Sequence, residues 1–166
     1  MKITKVSVLH VHMIQTDPGE KGQRPILVRI DTDEGIYGIG EIGMAYGCGG
    51  TAAVGMVRDL ATKIIGMNPL NTEAIWEKLL KTTFWGQGGG TVIFGGISGI
   101  DIALWDIKGK VWGAPVYQLL GGKCRDDLRV YASQIQLGWA PKRNICCTPE
   151  DYAREARKAV DEGYDA

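Results

Sequence analysis

The chain has 166 residues and a mass of 18.0 kDa, carries 19 basic and 19 acidic side chains for a formal net charge of zero, and is 45% apolar. That balance excludes the basic excess of a nucleic-acid binder, and the apolar content excludes a disordered tail. Glycine, at 24 residues, is twice the usual ~7% and has no Gly-X-Y period, so it points to tight turns and close backbone approaches.

Residues 3–12 are rich in β-branched side chains and predict a strand; Lys5, Ser7 and His10 break the apolar positions, which argues against a signal peptide. A loop follows over residues 15–23, with Asp17-Pro18-Gly19 as turn chemistry. Ile26, Val28 and Ile30 then alternate with Leu27, Arg29 and Asp31, and the turn Thr32-Asp33-Glu34-Gly35 leads into a third segment over residues 36–41. Two strands joined by a short loop ending in Gly form an antiparallel hairpin, so the chain opens with a three-stranded meander.

Helical periodicity takes over next. Thr51 is placed to cap a helix with Ala53, Val57, Leu60 and Ile64 on one face and Gly66 as its stop. A second helix is expected over residues 72–81, with Ile75, Trp76, Leu79 and Leu80 apolar. The third has the clearest stripe: Ile97, Ile100, Leu104, Ile107 and Val111 step by three and four, and Gly113 and Pro115 end it. Asp106 and Lys110 within it form an i,i+4 pair. Strands followed by helices predict an α+β layer arrangement, the helices lying against one face or end of the sheet. Beyond Gly121-Gly122, residues 128–133 predict a strand. Thr148-Pro149-Glu150-Asp151 reads as a helix start, with Thr as cap, Pro at the first position and acids in the first turn. Ala153, Ala156 and Val160 stripe that helix, giving a β-α unit whose next strand is missing.

No run of about eighteen apolar residues is present, so no membrane span is expected. Cys48, Cys124, Cys146 and Cys147 form no Cys-x-x-Cys pair, and the adjacent Cys146 and Cys147 have poor disulfide geometry; isolated thiols point to the reducing cytoplasm. Gly38, Gly40 and Gly43 match G-x-G-x-x-G, but a dinucleotide site needs a helix opening at that turn, and the following residues 44–50 are too rich in glycine to start one there. The favoured reading is glycine within a hairpin strand and its exit loop. Gly86-Gln87-Gly88-Gly89-Gly90 lacks the Lys-Ser/Thr of a phosphate loop and reads as a helix-to-helix connection. His10 and His12 share a strand face without an evident third metal ligand, and Asp101 reads as a hydrogen-bond acceptor within the packing. No Ser-His-Asp or Cys-His system can be assembled without one of those two histidines.

The stretch GISGIDIALWDIKGKVWGAPVYQLLGG, residues 96–122, resembles the signature of the mandelate racemase and muconate lactonizing enzymes of the enolase superfamily. Asp101, Ala103-Leu104-Trp105-Asp106, Gly109-Lys110, Pro115 and Leu119-Leu120-Gly121 carry the likeness, and TDEGIYGIGE, residues 32–41, is similar to the family's hairpin. The resemblance implies an α+β cap of the enolase N-terminal type over residues 1–120, followed over residues 121–166 by the first β-α unit of a TIM-type barrel. Within the family, Phe84-Trp85 and the run from ALWDIKGK to PVYQLLGG look most like the acid-sugar dehydratases.

The chemistry so implied is abstraction of a proton α to a carboxylate, with Mg²⁺ stabilising the enediolate and a Lys or His as base. The catalytic lysines, metal acids and His-Asp dyad of the family are expected beyond Ala166, so no catalytic residue and no metal ligand is assigned in this chain. The substrate-binding candidates are Tyr46, on the second of two cap loops (residues 13–24 and 43–50), and Ser133 and Gln134, at the C-terminal end of the first barrel strand, where such barrels place their working groups. The expected partners are a small carboxylate or sugar acid and further copies of the chain as a homo-oligomer, with no nucleic acid and no membrane. By itself the chain is expected to be inactive. The competing readings are a racemase or cycloisomerase of the same family, and a non-catalytic binding or assembly module.

Overall fold

The computed structural model describes residues 1–11, 25–44, 49–138 and 145–165. Three strands form an antiparallel sheet in the order β1 (Ile3–His10), β2 (Ile26–Thr32), β3 (Tyr37–Ile42). The register pairs Val6 with Ile30 and Val28 with Gly40. The alternation on β2 has the predicted consequence: Ile26, Val28 and Ile30 are fully buried, while Leu27, Arg29 and Asp31 are only partly so. The hairpin closes where the Thr32 N–H donates to the Ile36 carbonyl at 3.1 Å and Gly35 takes φ +78°.

Helices α1 (Gly50–Ala61), α2 (Thr72–Lys81) and α3 (Thr91–Trp112) follow, then a single turn α4 (Val116–Leu119). Thr51 is not the cap of α1: the helix begins at Gly50, Gly49 holds the N-cap position with φ 122°, and no side chain caps the end. Glycine at both positions lets the chain turn into the helix two residues earlier than a cap at Thr51 would. The α1 face is as predicted, with Ala53, Val57 and Leu60 buried and Ile64 buried in the turns beyond.

Helix α3 is the centre of the core. Ile93, Ile97, Ile100, Ala103, Leu104 and Ile107 are buried among β2, β3, α1 and α2, and Gly113 ends the helix in the left-handed conformation at φ 62°. Its approach to β3 is unusually close. A Cβ on Gly38 would lie 1.9 Å from the Ala103 carbonyl oxygen, and one on Gly40 would lie 2.0 Å from that of Gly99. Two glycines of the G-x-G-x-x-G match are therefore contact points of strand on helix backbone, in agreement with the hairpin reading. Lys108 is buried beside this core, donating from Nζ to Thr72 Oγ1 at 2.9 Å and lying 4.4 Å from the centre of the Trp105 ring.

By its internal contacts the chain divides into two compact units, one made of the sheet and helices through Gly122 and one from Lys123 onward. In the second, α5 (Pro149–Asp161) starts as predicted: Asp151 N–H donates to Thr148 Oγ1 at 3.2 Å and Thr148 N–H donates to Asp151 Oδ2 at 3.1 Å, a complete capping box with Pro149 behind it. Two expectations fail here. Residues 128–133 are not a strand, because a strand exists only through a ladder and no described segment pairs with them; Leu128, Val130 and Tyr131 are exposed. The inward side of α5 is not the Ala153/Ala156/Val160 stripe. Glu155 and Ala159 are buried instead, the Glu155 carboxylate gripped by Arg154 Nε at 3.1 Å and Lys158 Nζ at 2.9 Å, while Ala153 and Val160 are exposed. Among the described residues no helix is long and apolar enough to cross a membrane.

Candidate functional site

Ser133 and Gln134 are both exposed and close the irregular segment that begins at Leu128. Gln134 has φ 64° and ψ 35°, in the left-handed region, which costs a residue with a Cβ roughly 1–2 kcal/mol. That residue leads into one 3-10 turn, Ile135–Leu137, whose Leu137 N–H returns to the Gln134 carbonyl at 2.9 Å. The turn is tied to the start of α5. Cys146 N–H donates to the Gln136 carbonyl at 2.9 Å, and the buried Cys146 thiol lies 3.3 Å from the Ile135 carbonyl. The capping box then sets the helix direction, with the Cys147 N–H also on Asp151 Oδ2 at 3.1 Å. These bonds and the Arg154 guanidinium beside it hold the Asp151 carboxyl down at about 2. Backbone strain of this kind clusters at functional sites, and no residue-type signal in the sequence marks Gln134 as strained.

Tyr46 and His12 lie outside the described residues, as do Cys48 and residues 13–24. The base of the loop that carries Tyr46 is defined on both sides. Met44 N–H donates to the Ile42 carbonyl at 2.7 Å, and the Met44 side chain lies 2.8 Å from where a Gly49 Cβ would stand. The loop thus leaves β3 and enters α1 through two neighbouring points. His10 lies beside the first turn of α1, its ring 3.4 Å from a Cβ built on Gly50.

Asp101 is half-buried on α3. Burial, then the nearby Glu73 charge, push its carboxyl above the usual range, against the pull of Lys108 and the hydrogen bond it accepts from Trp105. It is therefore an acceptor within the packing, as predicted. Of the glycine cluster at residues 86–90, Gly86 and Gly88 belong to a 3-10 turn, Phe84–Gly88, while Gly89 ends that turn and Gly90 precedes α3. The cluster borders a cleft of about 590 Å³ lined by Leu60, Lys63, Thr83, Gly86 and Ile93 among others. Gly86 N–H and Gly89 N–H are used on the carbonyls of Thr83 and Gly86, both at 2.9 Å, rather than gathered toward an anion. Sequence reasoning did not anticipate the cleft, since its wall comes from α1, the 3-10 turn and the start of α3 together.

The Mg²⁺ that the resemblance implies has no matching donor set here: among the described residues no three His, Cys, Asp or Glu side chains converge on a point. No catalytic step is assigned through it.

This meander packed on a long central helix is an enolase-superfamily fold. A member of that superfamily from Salmonella Typhimurium matches with a TM-score of 0.90 at 54% identity, over 99% of this chain and 40% of that one. A protein from Zymomonas mobilis ZM4, described provisionally as a dehydratase, matches with a TM-score of 0.92 at 65% identity, over 99% of this chain and 41% of that one. The profile of the mandelate racemase / muconate lactonizing enzyme N-terminal domain matches residues 3–121, and the chain belongs to that family. Among curated relatives, D-galactonate dehydratase of Verminephrobacter eiseniae is 36% identical over 99% of this chain and 37% of its own length. The D-galactonate dehydratase family member RspA of Pantoea ananatis is 41% identical over 98% of this chain and 36% of its own. The chain thus spans little more than a third of the length of these relatives.

Proposed function

We propose that the chain is the N-terminal part of an acid-sugar dehydratase, with residues 1–120 as its capping domain and residues 121–166 as the opening of its barrel. One observation carries the reading: the likeness to a D-galactonate dehydratase does not stop at the cap but runs through 99% of the chain, including the segment with Ser133 and Gln134. In such a reaction the proton α to the carboxylate leaves, the β-hydroxyl departs as water, and the enol tautomerises to a 2-keto-3-deoxy acid. The part of this chain in that sequence is enclosure and orientation. Tyr46 offers a phenol from the cap loop, and Ser133 and Gln134 offer hydroxyl and amide groups from the barrel side, all suited to the hydroxyls and carboxylate of a sugar acid. The base and the Mg²⁺ ligands belong to parts of the protein beyond the described residues. Free thiols at Cys124 and Cys147 support a cytoplasmic protein, and the family likeness supports a homo-oligomer.

The test uses the longer protein, with Mg²⁺ and a panel of aldonic and aldaric acids. A 2-keto-3-deoxy product supports the reading. Racemisation or cycloisomerisation without loss of water replaces dehydratase with the other chemistry of the family, and the 166-residue chain alone is expected to show no turnover.

A further inference from the structure

β3 is the outer strand of the sheet, so every second N–H and C=O along it faces away from β2. Such an edge is a template for another strand. Two of its groups are already taken by side chains of α3. Ile39 N–H donates to Asp106 Oδ2 at 2.8 Å, and Lys110 Nζ donates to the Tyr37 carbonyl at 2.7 Å. Lys110 Nζ also donates to Asp106 Oδ2 at 2.7 Å. Carboxylate and ammonium therefore present acceptor and donor side by side, as the carbonyl and N–H of an added strand would. Tyr37 is held further by two cations, with the Arg29 guanidinium 4.0 Å and Lys110 Nζ 4.5 Å from its ring centre, and Arg29 in turn paired with Asp31 at 2.7 Å. The close approach at Gly38 and Gly40 is what brings α3 near enough for two side chains one helical turn apart to reach the edge.

We propose that Asp106 and Lys110 are a side-chain cap on the β3 edge that keeps it from adding a strand from a second copy of this chain. The segment they cover, Tyr37–Ile42, combines an aromatic and two β-branched residues with a single charge, a composition suited to self-pairing about a two-fold axis. The ion pair itself is half-exposed and contributes little as a salt bridge. Its effect lies in occupying the two backbone groups. The cap does not depend on which reaction the longer protein performs.

The test compares the unmodified chain with an Asp106→Ala/Lys110→Ala variant by light scattering across a concentration series, and by hydrogen exchange. In the unmodified chain, the Ile39 amide is expected to exchange about a hundredfold more slowly than in a free peptide of residues 36–43. Exchange at the peptide rate overturns the proposal without any variant. The double variant is expected to rise in mass to at least about twice that of the unmodified chain at the same concentration. Adding Ile39→Pro, which removes the edge N–H without touching a bond to β2, is expected to restore the original mass. A double variant of native circular dichroism and unchanged mass overturns the proposal. So does a mass increase that persists with Ile39→Pro, since that marks association through unfolded chain.

Discussion

At Gly40 the distance to α3 leaves no room for a methyl group: the obstacle is the Gly99 carbonyl, a backbone atom in the middle of the longest helix, and it cannot swing aside. Gly40→Ala is expected to destabilise the chain by about 3 kcal/mol or more, at the upper end of overpacking costs, read as a lowered urea midpoint with little change in slope. Gly43→Ala, where a Cβ meets nothing within 4 Å, is its control and should fall within about 0.5 kcal/mol of the unmodified chain. The first two glycines of the dinucleotide-type spacing, Gly38 and Gly40, thus have a steric origin, and Gly43 has none. Gln134 presents a different case at the same scale, a residue with a side chain held where glycine is favoured. If Gln134 and Tyr46 contact substrate, Gln134→Ala and Tyr46→Phe in the longer enzyme should each raise KM for the sugar acid about fivefold, the loss of one hydrogen bond, with kcat less affected. Gln134→Gly separates backbone from side chain: it should stabilise the chain yet raise KM in the same way.

At the scale of elements, α5 owes its start to a local sequence signal that the structure realises in full. Thr148→Ala removes the acceptor for the Asp151 N–H and is expected to cost α5 about 1 kcal/mol, seen as faster proteolysis of residues 148–161. Asp151 adds a pH dependence. Its folded carboxyl is held below the ordinary value of 3.8, at about 2, by the N–H groups of Cys147 and Thr148 and by Arg154. A depressed acid stabilises the fold fully above its unfolded value, and that contribution is lost as pH falls from about 4 toward 2. Asp151→Asn should abolish this acid-side loss in hydrogen exchange of α5. The meander, α2 and α3 were equally legible, because hydrophobic period and turn chemistry are local properties. The segment 128–133 was not. Val130 and Tyr131 favour a strand, but a ladder requires a partner strand, and propensity cannot supply one. The buried side of α5 was misread for a related reason: composition favoured alanine and valine, whereas the observed inward face is centred on Glu155 because two cations neutralise it.

Across the whole molecule, burial is uneven. The sheet and first three helices share one cluster running from Ile3 to Ile107, whereas the described residues from 123 onward bury only Cys146, Glu155 and Ala159. Local stability follows buried apolar contact, so residues 123–165 should lose amide protection well before residues 26–107 under rising urea. A single cooperative loss of protection across both would contradict this. The sequence by itself determined the α+β class, the hairpin, the helix limits at 72–81 and the family, since these rest on periodicity, turn residues and a contiguous signature. Only the tertiary structure decided why that signature holds aspartate and lysine at 106 and 110, why glycine stands at 38 and 40, and where Gln134 is strained. Each of those depends on two chain segments meeting at ångström distances, and one-dimensional spacing carries no record of such a meeting.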